Sequence, residues 1–304
     1  IQEHVFDEEF LTLATRNIDY KYCIGLLGYR LGFKGNSNFL NYFRIDLCTI
    51  NDINLFNLLV KSRNCENIFS KYKVIEIGLP FLKYPPFKTP KIDWLIASPT
   101  TFSFNDHNDL NRYLKNVLNL VNQINEKDLI AYKSHNSNER DYLNKFSLII
   151  KYIPSNKKIY NFLENISILI PSKFKKYYSL FLSAMLQKLI LSRAIPLSKL
   201  SDFHFLAVEA FIPNIKYGII GGNSNTIWGT RFFEKKYLNC IDSNKKSLSR
   251  NLRADKLLNL NLSYFGIPYC KNDINYNFKN KIRDQVVIKL NIVDLLINKL
   301  NDYD

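Results

Sequence analysis

Two short stretches of this chain combine residue types at spacings that suit an anionic ligand. The first runs Gly218-Ile219-Ile220-Gly221-Gly222-Asn223-Ser224-Asn225-Thr226-Ile227-Trp228-Gly229. Glycines let the backbone approach an anion closely, hydroxyl and amide side chains add neutral donors, and free N–H groups at a helix start point toward negative charge. Gly221, Gly222, Asn223, Ser224, Asn225 and Thr226 are therefore expected to cradle a phosphate. The same residues also make an ordinary capped turn, because Ser, Asn and Thr are N-caps and Gly-Gly is a common bend. The stretch is neither a Walker loop, since no G-K-[ST] follows, nor a clean G-x-G-x-x-G.

The second stretch, Ile130-Ala131-Tyr132-Lys133-Ser134-His135-Asn136, sets a lysine and a histidine two apart. Side chains two apart on a strand share a face, so Lys133 and His135 are expected to reach one crevice together. Lys133 would neutralise phosphate charge, and His135 would donate to a phosphate or to a departing nucleotide. A lone histidine serves as readily as a structural or surface residue. A third loop, Ser98 to Asp109, carries Asp106 and His107 but reads better as a helix entry capped by Asn108 or Asp109. Of Asp46, Asp52 and Glu76, Asp52 follows an expected strand at its carboxyl end, where a general base would stand. Its alternative is a solvated loop carboxylate. Gly25, Gly28 and Gly32 are spaced as in no phosphate motif, and a packed loop or helix is expected around them.

Placing these residues takes strands and helices in alternation. Arg44–Ile50 and Lys73–Ile77 have the β-branched, apolar character of strands, and Leu55–Lys61 between them reads as a helix. A Pro-rich stretch from Leu79 to Pro90 is the candidate hinge, giving domains 1–90 and 91–304. Beyond it come a strand at Trp94–Ala97, a helix at Asp109–Asn125 and a strand at Leu129–Lys133. The helix carries Leu110, Leu114, Val117, Leu118, Val121 and Ile124 at helical spacing. A helix at Phe174–Arg193, a strand at Tyr217–Ile220, a short helix at Thr226–Phe233 and a strand at Tyr237–Ile241 follow. The expected fold class is α/β, two Rossmann-like lobes with mostly parallel sheets whose functional loops lie at the strands' carboxyl ends. Lys281–Leu300 reads as a long amphipathic helix returning to the first lobe.

Composition narrows the class. The 304 residues are 46% hydrophobic, enough for two medium domains. Five scattered cysteines without a C-x-x-C pair argue against a disulfide framework and a structural zinc site. The sequence contains no run of about 18 apolar residues. It opens at Ile1 without a methionine or a basic-plus-apolar leader and is expected to begin inside a longer polypeptide, leaving the first lobe incomplete. The formal charge of +15 points to an anionic partner, whether substrate, membrane surface or nucleic acid. Heavy use of Asn, Lys, Ile and Tyr is also what an AT-rich genome produces.

The order of a strand ending in Lys133-Ser134-His135, the pair Ile170-Pro171, and a strand ending in the Ser224 turn resembles the second lobe of bacterial sialyltransferases and polysialyltransferases of the GT-B architecture, over residues 92–242. The resemblance implies that His135 takes the place of the family's nucleotide-contacting histidine. It likewise implies that Ser224, with Asn223, Asn225 or Thr226, takes the place of its serine pair. His135 is followed by Asn136 where the family has proline, and only one serine stands in the turn. The implied activity is a glycosyltransferase moving a sialic acid-like or Kdo-like sugar from a CMP-sugar or other nucleotide-activated donor to a surface glycan or glycolipid. No metal or other cofactor is expected. The implied setting is cytoplasmic, with peripheral contact at the inner face of the membrane. The competing expectation is a basic, non-enzymatic RNA-binding protein.

Overall fold

The computed structural model describes residues 24–26, 47–50, 53, 54, 57, 61, 73–76, 89–99, 104, 107–134, 146–222, 226–241 and 273–275. The chain divides into two compact units, Ile1–Tyr84 with Ile282–Asp304, and Pro85–Lys281. The helix expected at Lys281–Leu300 lies outside the described residues.

The first unit contains a parallel three-stranded sheet of β1 (Ile24–Leu26), β2 (Leu47–Ile50) and β3 (Lys73–Glu76), in that order. Residues 53, 54, 57 and 61, between β2 and β3, are helical, which completes a β-α-β unit. Gly25 belongs to β1 and pairs with Cys48, where a loop or helix is expected from the glycine spacing. Pairing with a neighbouring strand overrides local preference, because strand formation depends on context more than helix formation does.

The second unit is built on a parallel five-stranded sheet. Its strands are β4 (Ile92–Ala97), β5 (Ile130–Lys133), β6 (Ile195–Pro196), β7 (Ile215–Gly221) and β8 (Lys236–Asn239). Their spatial order is β6-β5-β4-β7-β8. The chain therefore starts in the middle at β4, moves outward through β5 to β6, and returns across β4 to lay down β7 and β8. This is a doubly wound order with its reversal between β4 and β7.

Helices α1 (His107–Val121), α2 (Ser147–Ile150), α3 (Lys157–Ile166) and α4 (Ser172–Leu191) lie between β4 and β6 in the chain, and α5 (Thr226–Phe232) joins β7 to β8. Asn108 and Asp109 sit inside the first turn of α1 and not ahead of it, and Asp109 pairs with Arg112 at 3.4 Å. A carboxylate is favourable there because the first turn carries the positive end of the helix dipole. The period-two alternation of the strands sorts the core into two faces. Trp94, Ile96, Ile130, Tyr132, Ile220 and Leu238 join one buried cluster with the apolar stripes of α1 and α4. Leu95, Ala131, Ile219 and Tyr237 are buried but stand outside that cluster, on the opposite face.

The parallel neighbours α1 and α4 are tied by polar contacts at both ends. Near their starts, Asn111 Nδ2 donates to the Ser179 carbonyl at 3.2 Å and to Ser179 Oγ at 2.9 Å, while Ser183 Oγ donates to Asn111 Oδ1. Past their ends, Arg193 donates to the carbonyls of Ile124 at 3.2 Å and Asn125 at 3.1 Å. Among the described residues, no helix is long and apolar enough to cross a membrane.

Candidate functional site at the carboxyl edge

Parallel strands in register bring their carboxyl ends to one level. Ala97 at the end of β4 pairs with Lys133 at the end of β5 and with Gly221 at the end of β7, and Gly221 pairs with Asn239 at the end of β8. The β4 and β7 ends then diverge, since the chain after β4 enters α1 on one face and the chain after β7 enters α5. In open parallel sheets, a reversal of strand order of this kind is the place where ligand crevices form.

The turn after β7 is packed closely by its own protein. A Cβ on Gly221 would meet Tyr237 Oη at 2.9 Å and the Ala97 carbonyl at 3.2 Å. One on Gly222 would meet Ile241 Cδ1 at 2.5 Å and Pro99 Cγ at 3.4 Å. Room is tight at Gly221, against a backbone carbonyl, while at Gly222 the end of the Ile241 side chain would have to turn aside. The Gly221 carbonyl accepts from the Cys240 amide at 2.7 Å, and the Gly222 carbonyl accepts from the Tyr237 hydroxyl. Burial pushes the Tyr237 phenol well above its ordinary pKa, with Cys240 and Glu209 adding to the effect, so it remains a neutral donor. Asn239 closes the end of β8, accepting from the Ile241 amide at 3.1 Å and donating to the Ile241 carbonyl at 2.8 Å.

Lys133 and the glycine turn do not leave neighbouring strands, because β4 lies between β5 and β7. Two strand spacings separate them, about 10 Å, which is too far for one backbone turn and one strand end to grip a phosphate without long side chains. Lys133 is buried, and its ammonium donates to the His204 carbonyl at 2.6 Å. Desolvation lowers its pKa, and the negative charge of Glu209 opposes that fall.

Glu209 connects the two halves of the edge. It lies in the helical turn Val208–Ala210 on the crossover from β6 to β7. Its Oε1 accepts from Thr226 Oγ1 at 3.4 Å, at the start of α5, and its charge acts on Lys133. Burial raises its pKa, while its own backbone amide, Thr226 and Lys133 hold it down. A carboxylate, an ammonium and a hydroxyl thus lie at this edge of the sheet, Lys133 and Thr226 buried beneath it. Reading the local spacings around glycines and histidines misses Glu209, since its partners are remote in sequence. The signal that points to it is a single acid within the apolar run Ala207-Val208-Glu209-Ala210-Phe211-Ile212.

Of the residues expected to act here, Gly221, Gly222, Thr226 and Lys133 all lie at this edge. His135, Asn223, Ser224 and Asn225 fall outside the described residues, as does Asp52 of the first unit. Comparison with protein-family models, curated proteins and solved structures finds no match to the chain.

Proposed function

We propose that the second unit binds the nucleotide of an activated sugar in the crevice between the ends of β4 and β7, and that the chain is a glycosyltransferase. The observation that carries this reading is the order β6-β5-β4-β7-β8, whose reversal coincides with the Gly221–Thr226 turn. Open parallel sheets bind ligands in the crevice outside the carboxyl ends at such a reversal. On this reading the two lobes form a GT-B arrangement. The phosphate rests on the 223–226 segment, with main-chain N–H groups and the Ser224 and Asn side chains as its donors on this reading. Glu209 and Lys133 brace the floor, with Lys133 offsetting the Glu209 charge and no longer a direct phosphate contact. His135, two residues beyond Lys133, donates to the departing nucleotide, and Asp52 deprotonates the acceptor hydroxyl.

The test is thermal melting of the full chain with CMP, UMP, UDP and, in parallel, polyuridylate. One mononucleotide at roughly a hundredfold excess over its Kd should stabilise by about 2.7 kcal/mol, read as a melting shift of about 5 °C or more. Ser224→Ala should remove most of that shift without altering the melting of the free protein. Stabilisation by polyuridylate alone, or by no mononucleotide, overturns the reading. Separately, His135→Ala should depress transfer while sparing nucleotide binding.

A further inference from the structure

The connection from α3 to α4 carries side chains that a buried hairpin would not leave in water. Ile168 is 81% exposed and Leu169 is 79% exposed, both in the tight turn between the helices, and Phe162, Phe174 and Tyr177 flank them with more than half their surface open. Such a cluster marks a contact surface, whereas apolar residues scattered singly do not. Lys173, Lys175 and Lys176 are exposed beside it, with Lys173 Nζ 5.0 Å from the Phe174 ring centroid. Residues 165–177 contain no acid. The acid nearest in sequence, Glu164, is already paired with Lys115.

The position of this tip follows from the packing. Helix α4 runs into β6 through a short turn, so it is antiparallel to the strands and its start lies toward their carboxyl edge. Ser179 contacts Asn108 and Asn111 in the first turns of α1, the helix that begins at that same edge. The first residue of α4 thus extends beyond the start of α1 by about 7 Å at the usual helical rise. Apolar side chains at a projecting tip, ringed by lysines, match the boundary of an anionic bilayer, where the former enter the acyl region and the latter meet headgroup charge. A second copy fits poorly, because a two-fold contact would set lysines against lysines. A single-stranded nucleic acid would use the lysines and the rings but leaves Ile168 and Leu169 without a role, since aliphatic side chains offer no stacking face.

We infer that the α3–α4 tip, through Ile168, Leu169, Phe174 and Tyr177 with Lys173, Lys175 and Lys176, docks the protein on an anionic lipid surface. Docking turns the carboxyl edge of the sheet toward that surface, and it stands whether or not the crevice takes a nucleotide.

Co-flotation of the full chain with vesicles tests it, using phosphatidylcholine alone against equal parts phosphatidylcholine and phosphatidylglycerol. The chain should float with the anionic vesicles at low salt and much less with the neutral ones. Ile168→Ser with Leu169→Ser, and separately Lys173→Glu, Lys175→Glu and Lys176→Glu together, should each weaken binding by about tenfold or more. Both sets change exposed side chains, and their melting should match that of the unaltered chain. Equal flotation of the variants and the unaltered chain overturns the proposal, as does absence of binding to anionic vesicles. It is equally overturned if the substitutions abolish binding to polyuridylate, or self-association in sedimentation, while leaving vesicle binding intact.

Discussion

Glycine has two distinct uses in β7 and the turn after it, and substitution separates them. Gly218 faces the backbone of β8, where an added Cβ would collide with the Lys236 carbonyl oxygen and stand 2.8 Å from Lys236 Cβ. A paired strand cannot yield there, so Gly218→Ala should cost about 3 kcal/mol of stability by denaturant melting. Gly222→Ala meets chiefly Ile241 Cδ1, the end of a side chain that can turn aside, and should cost about 1 kcal/mol. Equal losses would show that the turn is as rigid as the strand. Glu209 supports a pH prediction. Its pKa is raised from 4.5 in the fold, so the folded chain keeps a proton that the unfolded chain has released. Stability then falls as pH rises from the ordinary carboxyl value through the raised one. Glu209→Gln, which mimics the protonated form, should melt higher than the unaltered chain near neutral pH and show a flatter profile across that window. A lower melting temperature for Glu209→Gln at every pH would mean that the Lys133 pairing outweighs the desolvation.

Helix ends decide how the second unit holds together. The last carbonyls of α1 lack a basic residue of their own in the final turn. They accept instead from the following amides, Asn122 to Leu118, Gln123 to Leu120 and Ile124 to Val121, and Arg193, just past α4, donates to the carbonyls of Ile124 and Asn125 in the turn beyond α1. Arg193 thus pins the turn that follows α1 to the end of α4, while Asn111 and Ser179 tie the starts of the two helices. Arg193→Met keeps the apolar stem and removes the donors. It should destabilise by about 1 kcal/mol and raise amide exchange at residues 119–124, with little change in α5. Most elements were legible at this scale because their apolar positions repeat with the helix or strand period. The strands Ile92–Ala97, Ile130–Lys133 and Ile215–Gly221 lie within two residues of their expected bounds. Helix α3 escaped although Ile159, Phe162, Leu163 and Ile166 stand at helical spacing, and the two-residue β6 escaped because its brevity leaves no period to read. β1 escaped because glycines mask its strand character.

For the molecule as a whole, alternation of strands and helices announces a parallel sheet, but not the order of strands within it. That order matters most for function. It separates Lys133 from Gly221 by the width of β4, and it brings Glu209 and Tyr237 to the same edge from crossovers and strands far apart in sequence. If the crevice takes a nucleotide, amide exchange should slow at residues 97–99, 219–222 and 238–241, while the amino ends of the same strands stay unchanged. A formal charge of +15 adds that such binding, and docking of the α3–α4 tip, should both weaken with added salt.

The periodicity of apolar residues was enough to establish α/β character, the positions of most strands and helices, and the placement of the Gly221–Gly222 bend at a strand end, because those features depend on neighbours within a few positions. Tertiary structure alone decided which strand lies beside which, that Tyr237 and Ile241 pack against Gly221 and Gly222, and that Lys133 turns inward to the His204 carbonyl beside Glu209. Each of these depends on contacts between segments tens of residues apart, whose free energies are set by burial and desolvation in the assembled core and leave no local pattern in the chain.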